Sequence, residues 1–65
     1  MIIFYSTNCP KCNVLKKKLE QKNIPFIENN DVSEMMQKGI YEVPVLEKDG
    51  ILFNFTEAIT YINQQ

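Results

Sequence analysis

Met1-Ile2-Ile3-Phe4-Tyr5 is a run unbroken by any polar residue, and Ser6-Thr7-Asn8-Cys9-Pro10-Lys11-Cys12 follows it directly. A strand that is apolar on both faces belongs in the middle of a sheet covered on both sides. Residues 2 to 5 are therefore read as a central strand, and the rest of the chain must supply a layer on each side of it. Pro10 shows how the chain leaves that strand. Its fixed φ suits the first turn of a helix, where its missing N–H would have had no partner. From Pro10 to about Lys22, Cys12, Leu15 and Leu19 share one helical stripe with Val14 beside it, while Lys16, Lys17, Lys18, Glu20 and Gln21 mostly face water.

Asn23 can end this helix in a left-handed conformation, and Pro25 argues against continuing it. Ile24-Pro25-Phe26-Ile27-Glu28 then reads as a second strand, with the proline at its start, where a missing N–H is tolerated. Asn29-Asn30-Asp31 is turn chemistry. Asp31 with Glu34 resembles a capping box for a short helix over residues 32 to 38, closed by Gly39. Val43-Pro44-Val45-Leu46 and Ile51-Leu52-Phe53 flank Lys48-Asp49-Gly50, and Asp-Gly between apolar runs is a hairpin signal. Asn54 with Glu57, or Thr56 alone, can cap a last helix to residue 63, with Ala58, Ile59 and Ile62 inward. The order predicted is β-α-β-α-β-β-α, an α/β fold in which a four-stranded mixed sheet is flanked by helices.

A chain of 65 residues has room for one domain, spanning residues 1 to 65, and it buries only about 60% of its unfolded surface. Its net charge of -1 lacks the basic excess that nucleic acid or anionic lipid would favour, so neither partner is expected. No run approaches the ~18 apolar residues of a membrane helix. The amino-terminal apolar run has no basic residues before it and no small-residue cleavage pattern after it, and it reads as a strand, not a secretion signal. A soluble, cytoplasmic monomer is the expectation. There thiols are kept reduced, which favours a working cysteine pair over a permanent brace. A bridge between Cys9 and Cys12 would also close a loop too short to constrain the unfolded chain much.

Cys9 falls where a buried strand turns into a helix, and the unpaired amides and dipole at a helix start favour an anion. A thiolate is such an anion, and it is the attacking species in disulfide exchange. Cys12, one turn in, is less exposed and can point back toward Cys9. The division of roles that follows has Cys9 attacking a substrate disulfide and Cys12 resolving the mixed disulfide. The chain has no histidine to act as a base, and none is needed if the helix start keeps enough thiolate present. Lys11 between them reads equally as a solubilising side chain or as a charge that assists Cys9 or draws in anionic substrates.

Phe4-Tyr5-Ser6 leading into Cys9-Pro10-Lys11-Cys12, Gly39 five residues ahead of Pro44, and Val43-Pro44 opening the third strand together resemble the glutaredoxin branch of the thioredoxin fold. The resemblance spans essentially the whole chain. It implies the thioredoxin fold, a redox-active Cys9/Cys12 dithiol, and a cis Val43-Pro44 bond facing Cys9. The backbone of Val43 would then pair with that of the cysteine under attack, as in strand addition. Val43 and Pro44 are thus the implied substrate-binding residues, and Lys11 and Thr56 are further candidates for binding substrate or glutathione. No resident cofactor or metal is implied, and glutathione would serve as reductant or ligand.

This chain also departs from the glutathione-using members. They commonly carry a lysine where Ser6 stands, and a threonine where this chain has Glu42, whose carboxylate would repel those of glutathione. Their Gly-Gly, small polar residue and Asp before the last helix align with Asn54, Phe55, Thr56 and Glu57. Glycines permit close backbone approach of the tripeptide and Phe55 does not, although Thr56 and the amides at that helix start could hold a carboxylate. These departures favour a reductant of protein disulfides, like the small redoxins recharged by thioredoxin reductase that serve ribonucleotide reductase.

Metal binding is the competing class. A structural zinc site wants four ligands and this chain supplies two sulfurs, so zinc, or an iron–sulfur cluster held through Cys9, would need a dimer. Copper carriers also place Cys-x-x-Cys between a first strand and a helix, but their fold ends in a strand, whereas this chain ends in a helical pattern.

Overall fold

A computed structural model describes all of residues 1–65. In chain order the elements are β1 (Ile2–Tyr5), α1 (Pro10–Gln21), β2 (Ile27–Asn29), α2 (Val32–Gln37), β3 (Val45–Lys48), β4 (Ile51–Phe53) and α3 (Phe55–Asn63). The strands form one mixed sheet in the order β2-β1-β3-β4. β1 runs parallel to β2 and antiparallel to β3, which is antiparallel to β4. The α/β order and the four-stranded mixed sheet are those the residues predicted.

Side-chain alternation along β1 explains why the sheet is covered twice. Ile2 and Phe4 join Cys12, Leu15 and Leu19 of α1, Leu46 of β3, and Ala58 and Ile62 of α3 in one cluster. Tyr5 points the other way, into a second cluster with Met35 of α2, Ile40 and Val45. Because Phe4 lies opposite Leu46 and Tyr5 opposite Val45, the two strands feed the same two faces in register. The buried Tyr5 hydroxyl donates to a carboxylate oxygen of Glu47 at 3.0 Å, which lets a phenol sit in the core.

Local chemistry sets most element ends. Asn23 takes φ 56°, and the N–H groups of Asn23 and Ile24 donate to the carbonyls of Glu20 and Leu19 at 3.1 and 3.0 Å. Gly39 does the same for α2 with φ 79°: its N–H reaches Met36, and that of Ile40 reaches Met35 at 2.8 Å. Asp49 and Gly50 have φ 54° and 78°, the left-handed pair that a two-residue hairpin needs between Lys48 and Ile51. Asn54 and Glu57 form a full capping box, so Asn54 and not Thr56 caps α3.

Three expectations shift. The second strand starts at Ile27, not Ile24, because Ile24 still belongs to the turn ending α1 and Phe26 is used as core, its ring edge-on to Phe4 with centroids 5.7 Å apart. The third starts at Val45, not Val43, since Pro44 has no N–H for the ladder and pairing begins at Val45 opposite Tyr5. The capping box of α2 is only half made. Asp31 accepts from the Glu34 N–H at 3.2 Å, but its own N–H donates to the Asn29 side chain at 2.8 Å, which leaves Glu34 nothing to receive. No helix is long and apolar enough to cross a membrane.

Candidate functional site

Cys9 is the residue that caps α1. Its backbone is extended, with φ −75° and ψ 162°, and its sulfur accepts the backbone N–H of Cys12 at 3.1 Å. Pro10 then occupies the first helical position, where its missing N–H leaves nothing unpaired. Asn8, with φ 64°, turns the chain out of the strand exit, a conformation asparagine adopts more readily than most residues. Cys9 and Cys12 are joined by a disulfide, their Cα atoms 4.9 Å apart. The two sulfurs are unequal. Cys12 is 1% exposed and belongs to the main core cluster, whereas Cys9 is half-buried at its margin.

Val43 packs against both core clusters, including the one that holds Cys12 and borders Cys9. The Val43–Pro44 bond is cis, and Pro44 is buried. Neither the N–H nor the C=O of Val43 has a hydrogen-bond partner within the chain. The half-buried Val43, its peptide groups unpaired, therefore packs on the same cluster as Cys9.

Lys11 is exposed, and its ammonium sits 5.5 Å from the centroid of the Phe55 ring, a cation–π contact, not a contact to either sulfur. Phe55, the first residue of α3, also packs on the cluster that contains Cys12. Thr56 lies elsewhere. It lines a surface hollow of about 360 Å³ with Phe53, Glu57, Thr60, Tyr61 and Gln64, which includes neither cysteine. Of the four sequence-predicted binding residues, Val43 lies against the pair's cluster with the buried Pro44 joined to it, Lys11 lies over Phe55, and Thr56 is not brought in.

Ser6, which stands where glutathione-using redoxins commonly carry a lysine, has a role here that its sequence position does not mark. Ser6 is 1% exposed, and its hydroxyl donates to Oε2 of Glu28 at 3.0 Å. The Asn30 side-chain amide donates to the Ser6 carbonyl at 2.8 Å and to the Ser6 hydroxyl at 3.0 Å. The Ser6 N–H donates to the Asn29 carbonyl at 3.2 Å, and Lys16 of α1 closes the group by donating to Oε1 of Glu28 at 3.0 Å. No buried side-chain N or O atom lacks a partner. No signal near Ser6 in the sequence marks this; it follows from the parallel register, which sets Tyr5 opposite Asn29 and so carries Ser6 alongside Asn30.

The hydrogen bond from Lys16, followed by that from Ser6, holds the Glu28 carboxyl below its ordinary value. A carboxyl with a depressed folded-state pKa contributes stability above its unfolded value, about 4.5, and that contribution is lost as the pH falls through the folded value. The urea midpoint is therefore expected to fall as the pH drops below about 4.5, and Glu28→Gln is expected to flatten that fall. A midpoint with the same acid dependence in both proteins would remove Glu28 as its source.

No three or more His, Cys, Asp or Glu side chains are gathered in a group that could hold a metal ion. No protein-family model, curated protein or solved structure gives a significant match to the chain.

Proposed function

We propose that this chain is a glutaredoxin-like thiol–disulfide oxidoreductase of the thioredoxin fold, working through Cys9 and Cys12. The single observation that carries the reading is the Cys9 sulfur, half-buried at the helix start and facing the Cys12 N–H at 3.1 Å, with the Cys12 sulfur buried behind it. In the reduced state that amide and the dipole of a 12-residue helix favour a thiolate at Cys9.

The Cys9 thiolate attacks one sulfur of a substrate disulfide. A new S–S bond forms, the substrate's S–S bond breaks, and one substrate thiolate leaves and takes a proton from water. Cys12 then gives up its proton and attacks the Cys9 sulfur, which expels the second substrate thiolate. Two electrons pass to the substrate, which ends as two thiols, and Cys9–Cys12 ends as the disulfide. The unpaired backbone of Val43 offers a strand-like edge on which the segment around the attacked cysteine can lie.

The substrate class follows from what stands around the pair. Phe55, with Lys11 over its ring, stands where the resemblance would put the glycines that let a tripeptide approach closely, and the exposed Glu42 next to Val43 disfavours the carboxylates of glutathione. Disulfides of proteins, reduced in the cytoplasm with electrons drawn from a thioredoxin reductase, fit this setting better than glutathione mixed disulfides. The test is a coupled turnover assay run with glutathione and its reductase in one arm and thioredoxin reductase in the other. Turnover is expected in the second arm. Turnover confined to the first would reverse the choice of donor, and turnover in neither, with a protein disulfide as substrate, would reject the activity.

A further inference from the structure

The strand exit before Cys9 and the helix after it converge on one carboxylate. Ser6 stands at the strand exit, three residues before Cys9, and Lys16 lies in the second turn of the helix that Cys9 caps. Oε2 of Glu28 accepts from the Ser6 hydroxyl and Oε1 accepts from the Lys16 ammonium, both at 3.0 Å. Asn30, two residues further along, grips the Ser6 carbonyl at 2.8 Å. Between these two anchors the segment Thr7-Asn8-Cys9 has no side-chain hydrogen bond to the rest of the chain except through the Cys9 sulfur, and it contains the left-handed Asn8.

We infer that Glu28 is a positioning residue for Cys9: it ties the exit of β1 to α1 and so holds the Cys9 sulfur in line with the amides of the helix start. The inference deepens the oxidoreductase reading and rests on it. An ion pair with side chains 39% and 27% exposed contributes little to overall stability. Its effect is geometric. The Cys12 N–H reaches the Cys9 sulfur across the first turn of α1, and the direction in which Cys9 enters that turn is set by the strand exit that Glu28 holds. No ionisable side chain bonds to either sulfur, since Lys11 is drawn over Phe55, and Glu42 and Glu57 on the neighbouring segments are exposed. The Cys12 amide at the helix start is the one group that hydrogen-bonds to the Cys9 sulfur, so the tie acts on Cys9 through that alignment.

The test is the pH profile of Cys9 alkylation by iodoacetamide in the reduced protein, with Cys12→Ser as background so that one thiol is read. Lys16→Met cuts the helix end of the tie while leaving the buried Ser6 intact. It is expected to slow alkylation near neutral pH by roughly three- to tenfold, the range of a lost helix-end alignment, and to move the profile toward an ordinary thiol at ~8.5. Lys16→Arg, which can still reach Glu28, is expected to restore the original profile. Combining Lys16→Met with Glu28→Gln is expected to add nothing beyond the larger single effect, because both cut one link. An acidic Cys9 whose profile is unmoved by Lys16→Met, or moved additively by the pair, overturns the positioning role and leaves the oxidoreductase reading standing. A Cys9 that titrates as an ordinary thiol in the otherwise unaltered protein overturns both.

Discussion

Cys9→Ser is expected to take protein-disulfide reduction to background, a loss of more than ~10³-fold, the scale on which removing an attacking nucleophile acts. A serine hydroxyl at the same helix start can accept the Cys12 N–H as the sulfur does, so the cap of α1 is kept and the fold is expected to survive. Cys12→Ser has a different signature. The first exchange still occurs, but with no second thiol the substrate stays attached, and a mixed disulfide through Cys9 accumulates. Mass spectrometry of the trapped adduct and single-turnover kinetics separate the two variants. If both lose the first exchange equally, or if the adduct forms through Cys12, the division of labour drawn from their unequal exposure is wrong.

The largest effect on stability is expected at Phe4. It is fully buried in the main cluster, and its ring meets Phe26 at 5.7 Å in an edge-on contact. Truncation of a buried phenylalanine to alanine costs about 3–5 kcal/mol through lost burial and the cavity left behind. A domain of 65 residues has about 3–10 kcal/mol in all, so Phe4→Ala is expected to leave the protein largely unfolded at 37 °C. Ile51→Ala is the matched comparison. Ile51 is 58% exposed on β4, and its truncation is expected to stay within about 0.5 kcal/mol. Circular dichroism with urea titration reads both, and similar midpoints for the two variants would contradict the placement of the core. Phe4 also carries a functional consequence, because Ser6 and the loop to Cys9 leave from the same strand.

Features that depend on neighbours four or fewer residues apart are legible in the residue order alone. Pro10 at the helix start, the left-handed Asn23 and Gly39 that end α1 and α2, the Asp49-Gly50 turn and the Asn54–Glu57 box all fall in this class. So does the position of the cysteine pair, because strand, proline and spacing put Cys9 at a helix start with Cys12 one turn inside.

Where two local signals compete, the chain alone did not say which wins. Asp31 and Glu34 have the spacing of a capping box, yet the Asn29 side chain took the N–H that would have completed it. Pro25 can open a strand, yet Ile24 and Phe26 went to the core first.

What remained hidden was everything joined across the fold. Ser6 meets Glu28 and Asn30 from 22 and 24 residues away in sequence, and Lys11 meets Phe55 across two helices. A serine, a lysine and a phenylalanine carry no mark of such partners in their own surroundings. Helix starts, turns and stripes are encoded by short-range sterics and backbone hydrogen bonding, so residue order suffices for them. Which side chains finally share a carboxylate or a ring depends on sheet register and on how the helices pack across it, and those arise only when distant segments are brought together.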